Sequence, residues 1–109
     1  MKPIEFRGDA LDALRLFSRE SRRMAGFQLD RVQRGLEPFD WKPMSSVGSG
    51  VREIRVRDES GAYRVLYVAK FEEAVYVLHC FQKKTQATPK QDIDLAERRY
   101  RELIKERRK

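Results

Sequence analysis

Apolar residues follow a helical period in the first third of the chain, a period of two in the middle, and a helical period again at the end. Ile4 to Phe6 alternates and predicts a short first strand, broken at Gly8. Asp9 suits an N-cap for a helix from Ala10 to about Ser18, with Ala10, Leu14 and Phe17 on one face. A second helix is predicted from about Arg19 to Arg34. Its apolar stripe is Ala25, Leu29, Val32 and Leu36, widened by Met24 and Phe27, and Gly35 sits where a C-cap glycine belongs. The two helices predict an antiparallel hairpin. Gly35 to Gly50 is a long connector rich in proline, serine and glycine, and loops of this length in small domains are often functional. Its Phe39 and Trp41 read as hydrophobic anchors that pin the loop, with a base-stacking platform as the alternative.

From Val51 the alternation places Ile54 and Val56 on one face and Glu53, Arg55 and Arg57 on the other. Asp58 to Gly61 is a turn. Ala62 to Phe71 and Val75 to Gln82 complete a three-strand meander. The last two strands are apolar at both parities, so they should be central, with helices over one face and partial cover on the other. His79 shares parity with Val75, Val77 and Phe81 and reads as a packed core histidine. Thr88, Pro89 and Gln91 form the N-cap, first position and capping box of a last helix running toward Arg107. Its buried stripe is Ile93, Ala96, Tyr100, Leu103 and Ile104. The order predicts an α+β fold. A small, mainly antiparallel sheet, made of the N-terminal strand and the C-terminal three-strand meander, packs against an N-terminal helical hairpin and a C-terminal helix.

A chain of 109 residues suits one domain, spanning 1–109. Lysine and arginine number 24 against 17 acidic residues, a formal charge of +7, which points to a polyanionic partner, most often nucleic acid. A basic surface kept for solubility is the alternative. The single cysteine, Cys80, allows no disulfide within the chain and lies in an apolar strand, where it reads as a small buried hydrophobe. A reducing cytoplasm is the expected location, with no signal peptide and no membrane span.

No metal-ligand spacing is readable, and no cofactor is expected. Val47-Gly48-Ser49-Gly50 leads into a strand, unlike a phosphate loop, and no serine has a histidine and an acid in a recognisable frame. What remains is a set of cations: Arg55, Arg64, Lys83 and Lys84. Antiparallel pairing puts the start of one strand beside the end of the next, so Arg64 should meet Lys83 and Lys84. Cations at a sheet edge with no carboxylate nearby are a place to hold a phosphate. An arginine inside a central strand is costly unless a partner or ligand awaits it. The alternative is a structural ion pair, with Glu53 as the partner.

Three segments together resemble toxins of the RelE/ParE superfamily of type II toxin–antitoxin systems, in the HigB-like, phage-derived subgroup. They are Gly50-Val51-Arg52-Glu53-Ile54-Arg55-Val56, Gly61-Ala62-Tyr63-Arg64-Val65-Leu66-Tyr67, and Val75 to Thr85 followed by Pro89 and a helix. The resemblance implies a RelE-like microbial RNase fold and an mRNA interferase acting on the translating ribosome, without a metal. A ribose 2′-hydroxyl attacks the adjacent phosphate and the 5′-oxygen leaves. Arg64 matches the arginine that holds the scissile phosphate. Lys84 matches a basic residue at the end of the last strand, Lys83 is its basic neighbour, and Arg55 matches a basic position on the first meander strand. Arg52, Arg57, Gln82 and Thr85, and Arg22 and Arg23 on the second helix, are expected to contact RNA.

Two positions depart from the pattern. Glu53 stands where some ribosome-dependent members have a lysine. The tyrosine or histidine that some members carry near the C-terminus is missing, since Tyr100 lies deep in the helix. A lysine, or Glu53 itself, is left to move protons if its pKa is shifted. ParE-type relatives poison DNA gyrase instead, and a basic nucleic-acid-binding module without toxicity is a third reading. The expected partner is an antitoxin with a helix-turn-helix domain, encoded by an adjacent gene. An acidic or amphipathic segment of it should cover the cationic groove or dock on the helices.

Overall fold

The computed structural model describes residues 1–109. Its elements are β1 (Ile4–Phe6), α1 (Ala10–Arg15), α2 (Arg19–Gln33), β2 (Trp41–Pro43), β3 (Val51–Asp58), β4 (Gly61–Val68), β5 (Val75–Lys83) and α3 (Lys90–Arg107). The five strands form one open sheet in the order β1-β5-β4-β3-β2. Only β1 runs parallel to its neighbour, β5; the other pairs are antiparallel. This α+β arrangement is consistent with a small RelE-like fold. No helix is long and apolar enough to cross a membrane.

Alternation along β4 divides two apolar layers. Tyr63, Val65 and Tyr67 face α1 and α2 together with Ala25, Leu29 and Val32. Leu66 and Val68 face α3 together with Val51, Leu78, Ala96 and Leu103. One face of the sheet thus carries the first two helices and the other face carries the last.

The strand β5 does not keep one parity. Leu66 pairs with His79 but Tyr67 pairs with Val77, which leaves Leu78 as an extra residue in a bulge. Beyond it Cys80 joins Val75 and Val77 in the α1–α2 layer, while Phe81 joins Tyr76 and Leu78 in the α3 layer. The expected parity of His79 with Val75 and Val77 is therefore overturned. His79 does share its side with Phe81, on which it stacks at 5.2 Å, and its Nε2 meets Asp92 Oδ1 of α3 at 2.6 Å.

Several local signals serve tertiary contacts instead. Asp9 makes no side-chain cap for α1. It accepts from Arg99 of α3 at 2.6 Å, and the same guanidinium donates to the Leu78 carbonyl at the bulge at 2.9 Å. Thr88 is not the N-cap of α3; Pro89 is, without a side-chain cap. Met24, Phe27 and Leu36 are exposed and do not extend the buried stripe of α2, which is Ser21, Ala25, Gln28, Leu29 and Val32. The connector is not wholly a loop either. Its β2 pairs Trp41–Pro43 with Ile54–Arg52 at the sheet edge, where a proline removes no needed donor.

Candidate nucleic-acid interface

The register of the central strands builds the site. Arg55 pairs with Arg64 across β3 and β4, and Arg64 pairs with Phe81 across β4 and β5. Lys83 pairs with Ala62, so it lies diagonally from Arg64 on the same face. Lys42 of β2 pairs with Glu53 and extends that face. The face is the one α3 covers, but α3 begins only at Lys90, and the ends of β3, β4 and β5 run out beyond its cover.

Glu53 lies at the centre of this cation set and is fully buried. Its Oε1 is 3.5 Å from Arg64 Nε, 3.8 Å from Arg55 Nε and 3.8 Å from Lys42 Nζ. Its Oε2 accepts from Thr88 Oγ1 at 3.2 Å. The expectation of cations with no carboxylate nearby is corrected here: alternation puts Glu53 on the arginine face, and burial fixes it there. One carboxylate against three cations still leaves an excess of positive charge. The Oε1 separations are ion-pair distances, too long for hydrogen bonds, and Glu53 Oε1, Arg55 Nε and Arg64 Nε have no hydrogen-bond partner. Glu53 cannot itself reach a substrate, because no part of it meets solvent.

Arg64 is 7% exposed. Its Nη1 donates to the Tyr63 carbonyl at 3.1 Å. Burial lowers its pKa and Glu53 partly restores it. Lys83 pairs with no carboxylate; partial burial first, and then the Arg64 charge beside it, push its pKa below the usual lysine range. Arg57, Arg64, Lys83, Lys84 and Thr85 line one shallow recess of about 480 Å³. Arg57 and Arg64 also line a second recess, of about 570 Å³, between α2 and β3.

Of the residues expected from sequence, Arg64, Lys83, Lys84, Arg57 and Thr85 come together. Arg55 stands at their edge, shared between Glu53 and Asp40. Arg52 does not join them: one residue off in parity, it lies over the Trp41 ring at 4.0 Å. Gln82 also has the other parity and donates to the Ser60 carbonyl of the β3–β4 turn. Arg22 and Arg23 are exposed on α2, in the opposite layer, and line neither recess. Two members were not foreseen, Lys42 and Thr88. Lys42 joins the site only through the pairing of β2, and Thr88 carries the local signal of a helix cap. Trp41 is half-buried, as an anchor should be, but Phe39 is 68% exposed and does not pin the connector by burial.

The family model described as Phage derived protein Gp49-like (DUF891) matches residues 12–101. The chain belongs to this family. The matched span of the Gp49-like chain runs from α1 into α3 and contains every residue of the site, from Lys42 to Thr88. No curated protein is similar enough to count as a relative.

Proposed function

We propose that this Gp49-like protein is the toxin of a type II toxin–antitoxin pair, of the HigB-like branch of the RelE/ParE superfamily. In this reading it cleaves mRNA on the ribosome. The observation that carries the proposal is the open recess where Arg64, Lys83 and Lys84 meet above a buried glutamate.

The reaction needs charge stabilisation and two proton transfers. Arg64 Nε faces Glu53 and Nη1 is held by Tyr63, which leaves Nη2 free for an oxygen of the scissile phosphate. As the 2′-oxygen bonds to phosphorus, negative charge builds on the equatorial oxygens, and a fixed guanidinium there is worth about 10²–10³ in rate. Lys83 takes the 2′-hydroxyl proton; its lowered pKa makes the neutral amine more accessible than in a free lysine. Lys84, on the same rim, returns a proton to the departing 5′-oxygen. The products are a 2′,3′-cyclic phosphate and a 5′-hydroxyl. Glu53 and Thr88 position the arginines without touching RNA. The partner in this reading is an antitoxin encoded beside the gene, whose acidic segment covers the cation face.

Controlled expression followed by primer-extension mapping of transcript ends tests the reading. New ends within codons should accompany growth arrest and vanish with Arg64→Ala. Arrest with intact transcripts and trapped gyrase–DNA complexes would place the chain with ParE-type toxins instead.

A further inference from the structure

The second recess has a composition unlike the first. Its walls are Met24 and Gln28 of α2, Phe39, Asp40, and Val56 with the arginines of β3 and β4. Phe39 is exposed, yet it is held by several contacts. Its N–H donates to Gln28 Oε1 at 2.8 Å, Arg31 lies 4.2 Å from its ring centroid, and the Phe27 ring is 5.9 Å away. Arg31 Nε in turn donates to the Glu37 carbonyl at 3.0 Å, fixing the chain just before the ring. Exposed aromatic surface kept in one place offers a face for stacking. Beside it the edge of β3 is unpaired beyond Arg55, because β2 ends its pairing at Ile54 and the last bond runs from Arg55 N–H to the Asp40 carbonyl. Backbone and amide groups there can meet the edge of a ring. Arg57 and Arg64 line both recesses, so the apolar wall begins where the phosphate-binding surface ends.

We propose that the recess between α2 and the free edge of β3 is a nucleobase subsite, in which Phe39 stacks the base adjoining the phosphate held by Arg64. The inference rests on the phosphate role of Arg64 given above and adds what lies beside it. Three arginines against Asp40 and the buried Glu53 leave the wall net positive, which favours a nucleotide strand whose backbone follows the cations while its base leaves solvent. The volume of about 570 Å³ is ample for one base and its sugar. Gln28 has its Oε1 committed to Phe39, which leaves its amide N–H groups to donate to a base acceptor.

The probes are fully 2′-O-methylated hexanucleotides, which cannot be cleaved, carrying 2-aminopurine or an abasic residue at each position in turn. Wild-type protein should quench 2-aminopurine strongly at one position and bind the corresponding abasic oligomer about tenfold more weakly. Phe39→Ala, a surface change that does not threaten the fold, should abolish the quenching and remove most of that difference. Arg64→Ala should weaken base-bearing and abasic oligomers alike. Equal wild-type affinity for base-bearing and abasic oligomers, or quenching that survives Phe39→Ala, overturns the subsite while leaving the role of Arg64 intact. Affinity unaffected by Arg64→Ala overturns the phosphate reading, and the subsite with it.

Discussion

Glu53 has no solvent contact, so its charge acts only through Arg64, Arg55 and Lys42. Removing one partner of a buried charge set leaves the others uncompensated, at about 3–5 kcal/mol. Glu53→Gln keeps the shape and removes the charge, so urea unfolding should show a loss of that order; unchanged stability would mean the cations do not depend on it. Lys83 makes a different prediction. A lysine with a depressed pKa loses its proton at lower pH than a free one, so cleavage should rise with pH across that interval, and Lys83→Arg should flatten the profile. The linkage has the same sign: the unfolded chain holds that proton more tightly, so the charged Lys83 opposes folding at low pH and the penalty fades as pH rises toward 10.5. Cys80 is the inert counterpart. Burial pushes its thiol up to about 12, so iodoacetamide at pH 8 should label it only after unfolding. A single buried cysteine in an apolar strand was readable from sequence, because burial there follows from its neighbours alone.

The helix α3 closes one face of the sheet and, through Thr88 at its approach, touches Glu53. Its apolar hold on the sheet runs through Ala96 and Leu103. Leu103→Ala should cost about 2–5 kcal/mol in denaturant unfolding, because the cavity lies between two regular elements that cannot collapse freely. A polar anchor lies nearby at the β5 bulge, where Arg99 bridges Asp9 and the Leu78 carbonyl. Periodicity identified the helices and the central strands but overran two of them: α1 ends at Arg15 instead of Ser18, and β4 at Val68 instead of Phe71. It missed β2, since three residues ending in Pro43 carry almost no period. It also missed the bulge, since Leu78 and His79 give no local sign that both turn to one side. The caps expected at Asp9 and Thr88 failed for a related reason. A short oxygen-bearing side chain beside a helix can serve its own backbone or a distant partner, and only the folded chain decides which.

At the level of the whole molecule, the two layers divide the work. The α1–α2 layer supplies the larger apolar cluster, while the α3 layer stops short and leaves cationic strand ends in the open. The meeting of Arg64 with Lys83 and Lys84 was legible because antiparallel pairing alone brings those positions together. Arg52 and Gln82, expected to contact RNA, lie apart from this cluster because sequence neighbours in a strand point to opposite faces. The depth of Glu53 was not legible, since a glutamate among arginines alternates identically whether solvated or enclosed. In the proposed function the cationic recess does chemistry on RNA. The most direct measurement is cleavage of a defined mRNA by the purified protein on programmed ribosomes, comparing wild type with Arg64→Ala. The account predicts fragments ending in a 2′,3′-cyclic phosphate, formed about 10²–10³ times more slowly by the variant. Intact mRNA with the wild-type protein, or equal cleavage by both proteins, would contradict it.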